Sequence, residues 1–458
     1  MATVSRENLG TLHEKISVKL EQQDYLPSFD KTLKEYAKKA SIPGFRKGMV
    51  PTGMVRKMYG QAVFTDEIVR TAGKKLEDYL QEAKLPIFAQ PMILPGSEMK
   101  FDFNNPSEYV FNFEIGIKPE FEITPVKNKA HLTRYKISIT DKMIADELDR
   151  IRKQYGTEEP QETVSEDEQI IHTTFHACNA EGVIANEEDK TENTSILNKL
   201  PAKLKDQLMG KKLNDTLVIC PAELCSAEEL KNFMQLVLKA DENAVNNHYL
   251  LTLTKIGKII PIDLGKELYD QVYKDGNVND ESEFRNRLKA ELEREYSRIT
   301  TDRLHNEMFE LLVHNTPIDL PTPFLKRYMR EGGDKPKAEN EVEAEYPSFE
   351  HQLRWQLISD KLITEFGVTV TRDEVVNNIM TDVLAYFGVT NLEDAPWLES
   401  YKAKITKDEK TMSETFNRLL SVKLFNALEG VLTLEEKEIE EEAFFKLGDA
   451  HAAHHHHH

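Results

Sequence analysis

Residues 42–51 read IPGFRKGMVP, a stretch holding two glycines, two prolines, one aromatic and two adjacent cations. Pro43 disfavours helical geometry at the residue before it, so a preceding helix must stop near Ser41. Gly44 is free to adopt a positive φ. Proline restricts the chain, so less entropy is lost if this segment binds a partner. Arg46 can make bidentate or stacked contacts with phosphate and bases, and Phe45 can stack or fill a pocket. Two readings of the local chemistry stay open. Phe45, Arg46 and Lys47 form a docking tip, or the segment is a helix–helix turn with Phe45 in the core.

The segment sits inside a local basic patch. Between Lys31 and Lys57 the chain carries Lys31, Lys34, Lys38, Lys39, Arg46, Lys47, Arg56 and Lys57, with Glu35 as the only acid. The whole chain of 458 residues has a formal net charge of −20. A basic patch on an acidic molecule can orient it towards a polyanion, whereas the overall charge argues against broad nucleic-acid binding.

Upstream, Ile16, Val18 and Leu20 alternate as in a half-buried strand. Phe29, Leu33, Ala37 and Ala40 then recur at helical spacing, with Lys34 and Lys38 on the other side. Downstream, Phe64, Ile68, Ala72, Leu76 and Leu80 mark a long amphipathic helix ending before Pro86. Tyr109, Phe111, Phe113, Ile115 and Ile117 alternate as a strand. An extended connector over Pro119–Pro125 leads to a strand at RYKISIT and a helix, DKMIADELDRIRKQY, with Thr140 as N-cap. The acidic run GTEEPQETVSEDEQ reads as a boundary. Beyond it, IIHTTFHA, NDTLVICP and HYLLTLTKI read as strands. SAEELKNFMQLVLKA reads as a helix opened by a capping box of Ser226 and Glu229.

From Ile259 the chain is helical and highly charged. Phe284, Leu288, Leu292, Tyr296 and Ile299 form one apolar stripe. Further helices are expected near Pro323–Met329, Phe349–Phe366, Arg372–Phe387, Asp408–Leu432 and Glu435–Leu447, with GGDKPKAENEVEAEYPS as punctuation. Helices this charged need not pack into one bundle and can form extended arms.

Length suggests about three domains. No apolar run reaches the roughly 18–20 residues of a membrane span, and the N-terminus lacks a signal-peptide core. Cys178, Cys220 and Cys225 are too few for a disulfide framework, which fits a reducing cytoplasm. The closing His454–His458 reads as a purification tag.

GFRKGMVP resembles the signature loop of bacterial trigger factor, the ribosome-associated chaperone family. LPSFDKTLKEYAKKASI resembles the helix leading into that loop. NTPIDLPTPFLKRYM and EFGVTVTRDEVVNNI resemble segments of the family's helical domain. The resemblance implies an α+β multidomain fold: an N-terminal α+β ribosome-binding domain at 1–118, a connector at 119–156, a small FKBP-like α+β domain at 157–258, an elongated all-α chaperone domain at 259–448, and a tail at 449–458. It implies that Phe45, Arg46 and Lys47, held by Gly44 and Gly48, contact a protein at the exit tunnel of the large ribosomal subunit and adjacent rRNA. Unfolded nascent polypeptides are the other implied partner. A homodimer off the ribosome is compatible with it, and a membrane is not a partner. Met49 stands where the family often carries a basic residue.

The middle segment departs further from the family pattern. Prolyl isomerisation needs an apolar pocket lined by aromatics. Where the resemblance calls for a Gly-Phe-Glu segment, this chain has ILNKLPAKLKDQLMGKK, with Leu197, Leu200 and Leu204 in place of aromatics. The expectation is a divergent fold with weak or absent isomerase activity, so no catalytic residue is assigned. Phe175 is the surviving aromatic, with a core role expected. His172, His176 and Cys178 share a strand face by period-two spacing, but a metal needs three or four converging ligands and no supporting motif is present. A packed strand face is the plainer expectation. Cys220 and Cys225 read as small buried hydrophobes. Asn193-Thr194-Ser195 matches a glycosylation acceptor by chance. No glycine-rich phosphate cradle occurs, so neither ATP nor another cofactor is expected. In the helical region, Phe324, Leu325, Phe349, Leu353, Trp355, Leu357, Met380, Tyr386 and Phe387 divide between core and a surface for unfolded segments.

Overall fold

The computed structural model describes residues 3–39, 50–94, 100–184, 186–274, 276–333, 335–387 and 397–447. Gly44, Phe45, Arg46, Lys47 and Gly48 therefore lie outside the described residues, as do Ser41, Met49 and His454–His458. The chain divides into two compact units, Met1–Arg134 with Thr301–Glu436, and Tyr135–Thr300 with the segment from Lys437 onward.

The first unit opens with β1 (Thr3–Gly10) and β2 (His13–Leu20), followed by α1 (Gln22–Lys39), α2 (Thr52–Ala83), β3 (Met92–Ile93) and β4 (Tyr109–Gly116). The strands form one antiparallel sheet in the order β1-β2-β4-β3, with Ile16 opposite Phe113 and Val18 opposite Phe111. Period-two alternation puts Ile16, Val18, Leu20, Tyr109, Phe111, Phe113 and Ile115 on one buried face. The helical stripe of Tyr25, Phe29, Leu33 and Ala37 on α1, and of Val63, Phe64, Ile68, Ala72 and Leu76 on α2, closes over it. After α2, Lys84 takes a left-handed conformation (φ 49°) and caps the helix. Within the expected extended connector lies one helical turn, α3 (Thr124–Lys127), opened by Pro125 at its second position.

The second unit begins within β5 (His131–Ile137), which pairs with the late strand β11 (Thr433–Ile439). Helix α4 (Asp141–Gln154) follows, and the Thr140 side chain accepts a hydrogen bond from Met143 N. The acidic run read as a boundary is in part a strand, β6 (Thr157–Gln161), paired with β10 (His248–Ile260). It lies at the sheet edge, the position where a strand tolerates a proline such as Pro160. The sheet runs β6-β10-β7-β8, with β7 at Ile170–Cys178 and β8 at Lys190–Ile196, and β9 (Thr216–Ile219) also pairs with β10. Helices α5 (Ala202–Leu208), α6 (Pro221–Leu224) and α7 (Ala227–Asn232) accompany it. The Ser226–Glu229 capping box is present at α7, but the helix changes to a π-helical turn at Phe233–Val237. Asn193-Thr194-Ser195 sits inside β8. Beyond the sheet, α8 (Lys266–Val272) and the first part of α9 (Glu281–Asn315) bury Leu268, Phe284 and Leu288 against Ile144, Leu148 and Ile151 of α4.

The remaining helices belong to the first unit: the end of α9, α10 (Thr322–Glu331), α11 (Glu339–Phe366), α12 (Arg372–Tyr386), α13 (Leu398–Ile405) and α14 (Glu409–Glu429). Two expectations need correction. Part of the punctuating stretch, from Glu339 onward, is already helix and accommodates Pro347. The expected helix Glu435–Leu447 is strand to Ile439, because β5 offers a hydrogen-bonding edge that an isolated Glu/Lys-rich segment lacks; only 441–447 is helical.

At the start of α12, Thr371 and Glu374 form a capping box, and Lys423 Nζ donates to Glu374 Oε1 at 2.6 Å. The Lys423 contact, aided by the Thr371 N–H, holds the Glu374 carboxyl down to about 2. A depressed folded-state value means that this contribution is full above the unfolded carboxylate range, near 4.5, and fades as pH falls towards 2. An NMR titration of the Glu374 side-chain carboxyl should show a midpoint well below that of an unperturbed glutamate, and Lys423→Met should move it up.

Candidate functional site

The α1/α2 hairpin carries the basic patch. Its stiffness comes from below: Tyr25, Phe29 and Phe64 are fully buried, and the Phe29 and Phe64 rings meet edge-to-face at 5.1 Å. Thr32 Oγ1 of α1 donates to Glu67 Oε1 of α2 at 2.8 Å, a hydrogen bond to a carboxylate that is itself buried. Arg70 also pairs with Glu67, so the burial of this carboxylate is compensated. The helices are thus pinned side by side, with their exposed faces free.

On those faces Lys31, Lys34, Lys38, Lys39, Arg56 and Lys57 are all exposed, and none forms an ion pair with a described acid. Arg56 lies over the Phe29 ring, 5.7 Å from its centroid. Lys38 and Lys39 occupy the last turn of α1, where cations complement the helix dipole. Four large apolar side chains accompany the charges: Tyr36, Met54, Met58 and Tyr59 are 40–54% exposed. The charge pattern was readable from sequence. The exposed tyrosines and methionines were not, because nothing in their spacing separates them from core positions. The loop residues 44–48 connect these helices in the chain and lie outside the described residues.

Around the β6-β10-β7-β8 sheet, Leu197, Leu200 and Leu204 are buried in one core with Phe175, Phe233, Met234 and Tyr249. The leucines fill core volume, as Phe175 does. Phe233 and Tyr249 are core aromatics that sequence reasoning passes over; they sit at the start of the π-turn and in β10, where the surrounding apolar run hides them. His172 is held by neighbours on either side: Nε2 is 3.1 Å from Glu158 Oε1, and Nδ1 is 3.0 Å from Thr194 Oγ1. Lys255 also reaches Glu158, at 2.9 Å, and holds that carboxyl below its ordinary range. Both nitrogens of His172 are thus engaged in a cross-strand network. Among the described residues no group of three metal-ligating side chains converges. Burial pushes the Cys225 thiol up to about 11 and raises that of Cys178, so neither is a ready thiolate.

Among the helices of the first unit, Phe324, Leu325 and Met380 are core. Phe349 and Met329 line a groove of about 370 Å³ between α10 and α11, together with Lys337, Glu345, Ser348 and Gln352. Tyr386 and Phe387 are 84% and 60% exposed, and the Phe387 ring lies 5.3 Å from Trp397. These apolar surfaces sit among charges, which suits weak, non-specific contact with unfolded segments.

β4 meets α10 through charge as well as packing. Glu114, buried in β4, has one carboxylate oxygen 3.0 Å from His13 Nε2, and the other pairs with Arg327 of α10. Arg327 also donates to Ile93 O at 2.6 Å and to Glu331 at 2.9 Å. Gly116 leaves room for the Phe324 ring; a Cβ there would lie 2.4 Å from it.

Comparison with known proteins gives the class. An FKBP-like domain at residues 158–261 lies between two further matched domains, an arrangement that defines a multidomain chaperone. Residues 2–151 match the model for bacterial trigger factor protein, residues 158–261 that for the FKBP-like domain of probable trigger factors, and residues 303–447 that for their C-terminal domain. The chain belongs to the trigger factor family. The trigger factor of Chlorobaculum tepidum is 23% identical over 80% of this chain and 84% of its own length. That of Salinibacter ruber is 22% identical over 91% of this chain and 90% of its own. A solved structure titled for promiscuous substrate recognition in the folding and assembly activities of the trigger factor chaperone covers 93% of this chain and 100% of its own, with TM-score 0.50 and 17% identity, a likeness of fold. No helix among the described residues is long and apolar enough to cross a membrane.

Proposed function

We propose that this chaperone is ATP-independent, works in the cytoplasm, and docks on the large ribosomal subunit beside the exit tunnel, where it shields emerging apolar segments. Residues 1–118 dock, with Phe45, Arg46 and Lys47 making contact and Gly44 and Gly48 shaping the loop. The connector 119–156 leads to a divergent FKBP-like domain at 157–258, and residues 259–448 shelter the client. The observation that carries this reading is the cationic hairpin: six exposed cations, none in an ion pair with a described acid, flanking the FRK segment on a chain of net charge −20. A polyanion is the partner such a patch orients towards. Pelleting of the protein with ribosomes should fall steeply as salt rises, since each cation–phosphate contact releases counterions. Pelleting that ignores salt would contradict it. The groove at Met329 and Phe349 and the exposed Tyr386 and Phe387 are the surfaces proposed for nascent chains.

An isomerase reading has the FKBP-like match at 158–261 in its favour. Against efficient catalysis stand Leu197, Leu200 and Leu204, which pack into the core where the activity calls for aromatics on an open pocket. At catalytic concentrations the protein should leave the rate of a proline-limited refolding reaction close to its uncatalysed value. A clear acceleration would reinstate the enzyme.

A further inference from the structure

The α1/α2 hairpin leaves two aromatic side chains in water while burying three. Tyr25, Phe29 and Phe64 are fully buried, yet Tyr36 and Tyr59 are 47% and 40% exposed, with ring centroids 6.4 Å apart across the two helices. Each tyrosine has a cation at a neighbouring position that forms no ion pair with a described acid. Lys39 lies one helical turn beyond Tyr36, and Arg56 one turn before Tyr59, which places each pair on one helix face. Lys38 and Lys57, two residues from the tyrosines, fall on other sides of the helices and raise only the overall positive charge of the hairpin. Aromatic faces next to cations are the chemistry that holds a single nucleic-acid strand: the bases stack and the phosphates pair.

We propose that Tyr36 and Tyr59 form a stacking platform for an unpaired nucleotide of single-stranded RNA, whose phosphates are met by Lys39 and Arg56. The proposal deepens the docking reading and rests on it for the RNA's origin in the ribosome. It assigns the tyrosines a role that charge alone does not fill. Cations would hold any strand at low salt, whereas the rings hold a base and are indifferent to salt. Stacking needs a π face and not a hydroxyl, so phenylalanine should serve as well as tyrosine. Leucine keeps much of the apolar area but has no ring. An apolar polypeptide partner would accept leucine; a base would not.

The test uses the full chain and a fluorescein-labelled short single-stranded RNA, followed by anisotropy at low salt. Wild type should bind, and Y36F/Y59F should match it. Y36L/Y59L should bind about tenfold or more weakly, with an unchanged thermal unfolding profile, since both positions are exposed. Equal RNA affinity of wild type and Y36L/Y59L would overturn the proposal, as would failure of wild type to bind. Equal capture of an unfolded apolar polypeptide by wild type and Y36L/Y59L, without RNA binding, would assign the surface to protein and also overturn it. Ribosome pelleting of the same variants separates the two readings. If the loop variant F45A/R46A/K47A no longer pellets while Y36L/Y59L binds RNA as wild type does, docking stands and the platform falls. If wild type never pellets yet leucine still weakens RNA binding, the platform stands and docking falls.

Discussion

Phe64→Ala should cost about 3–5 kcal/mol of stability in the first unit. Phe64 has no exposed surface. Its ring lies edge-on to Tyr25 at 5.5 Å and to Phe29 at 5.1 Å, and 6.3 Å from Tyr109. Those neighbours come from α1 and β4, so a void at Phe64 is bounded by elements that are themselves packed elsewhere and cannot collapse into it. The loss would be felt where the hairpin is pinned to the sheet. Hydrogen exchange across α1 and α2 under mild urea should report it, with protection falling in both helices and little change in β7 and β10. A loss below about 1 kcal/mol would mean that the site relaxes freely, contrary to the packing described.

The second large effect is expected at Arg327. Removing one partner of a buried ion pair leaves the other charge in a poor solvent, at a typical cost of about 3–5 kcal/mol. Glu114 is 3% exposed, so Arg327→Ala leaves its carboxylate with His13 alone, and also frees the Ile93 carbonyl. The double variant Glu114→Gln/Arg327→Met, which removes both charges, should lose clearly less than Arg327→Ala. Urea denaturation of the set decides between a charge effect and simple loss of contact. Equal losses in the single and double variants would point to lost packing. Salt should matter little, because the pair is shielded from solvent.

These two sites differ in how far the sequence reveals them. The core under the hairpin is legible: Phe29, Leu33, Phe64 and Ile68 follow helical spacing, and Tyr109 to Ile115 follow strand spacing, so each face can be read before any contact is known. The Glu114–Arg327 contact is not legible. It joins positions 213 residues apart, and Glu114 sits in an alternating strand where nothing local marks a charged residue as buried. β11 was misread for a related reason. TLEEKEI has no apolar alternation worth the name, and the exposed Glu435, Glu436 and Glu438 satisfy a helical reading equally well. It is a strand because it pairs with β5, and just before β5 begins Thr433 N donates to Ala130 O at 3.0 Å. β6 was hidden by Pro160 and by acids that only an edge position tolerates. The candidate site divides likewise. Its charges stood out against the composition of the chain, whereas the exposure of Tyr36, Met54, Met58 and Tyr59 depends on which helix face the core leaves uncovered.

Direct competition for ribosomes between wild type and Phe45→Ala/Arg46→Ala/Lys47→Ala tests the central claim most directly. The two proteins are mixed in equal amounts with limiting ribosomes at low salt, pelleted through a cushion, and quantified by mass. The substituted residues lie between α1 and α2 in the chain. Wild type should pellet with the large subunit, and the variant should stay in the supernatant. Equal recovery of the two in the pellet would contradict it.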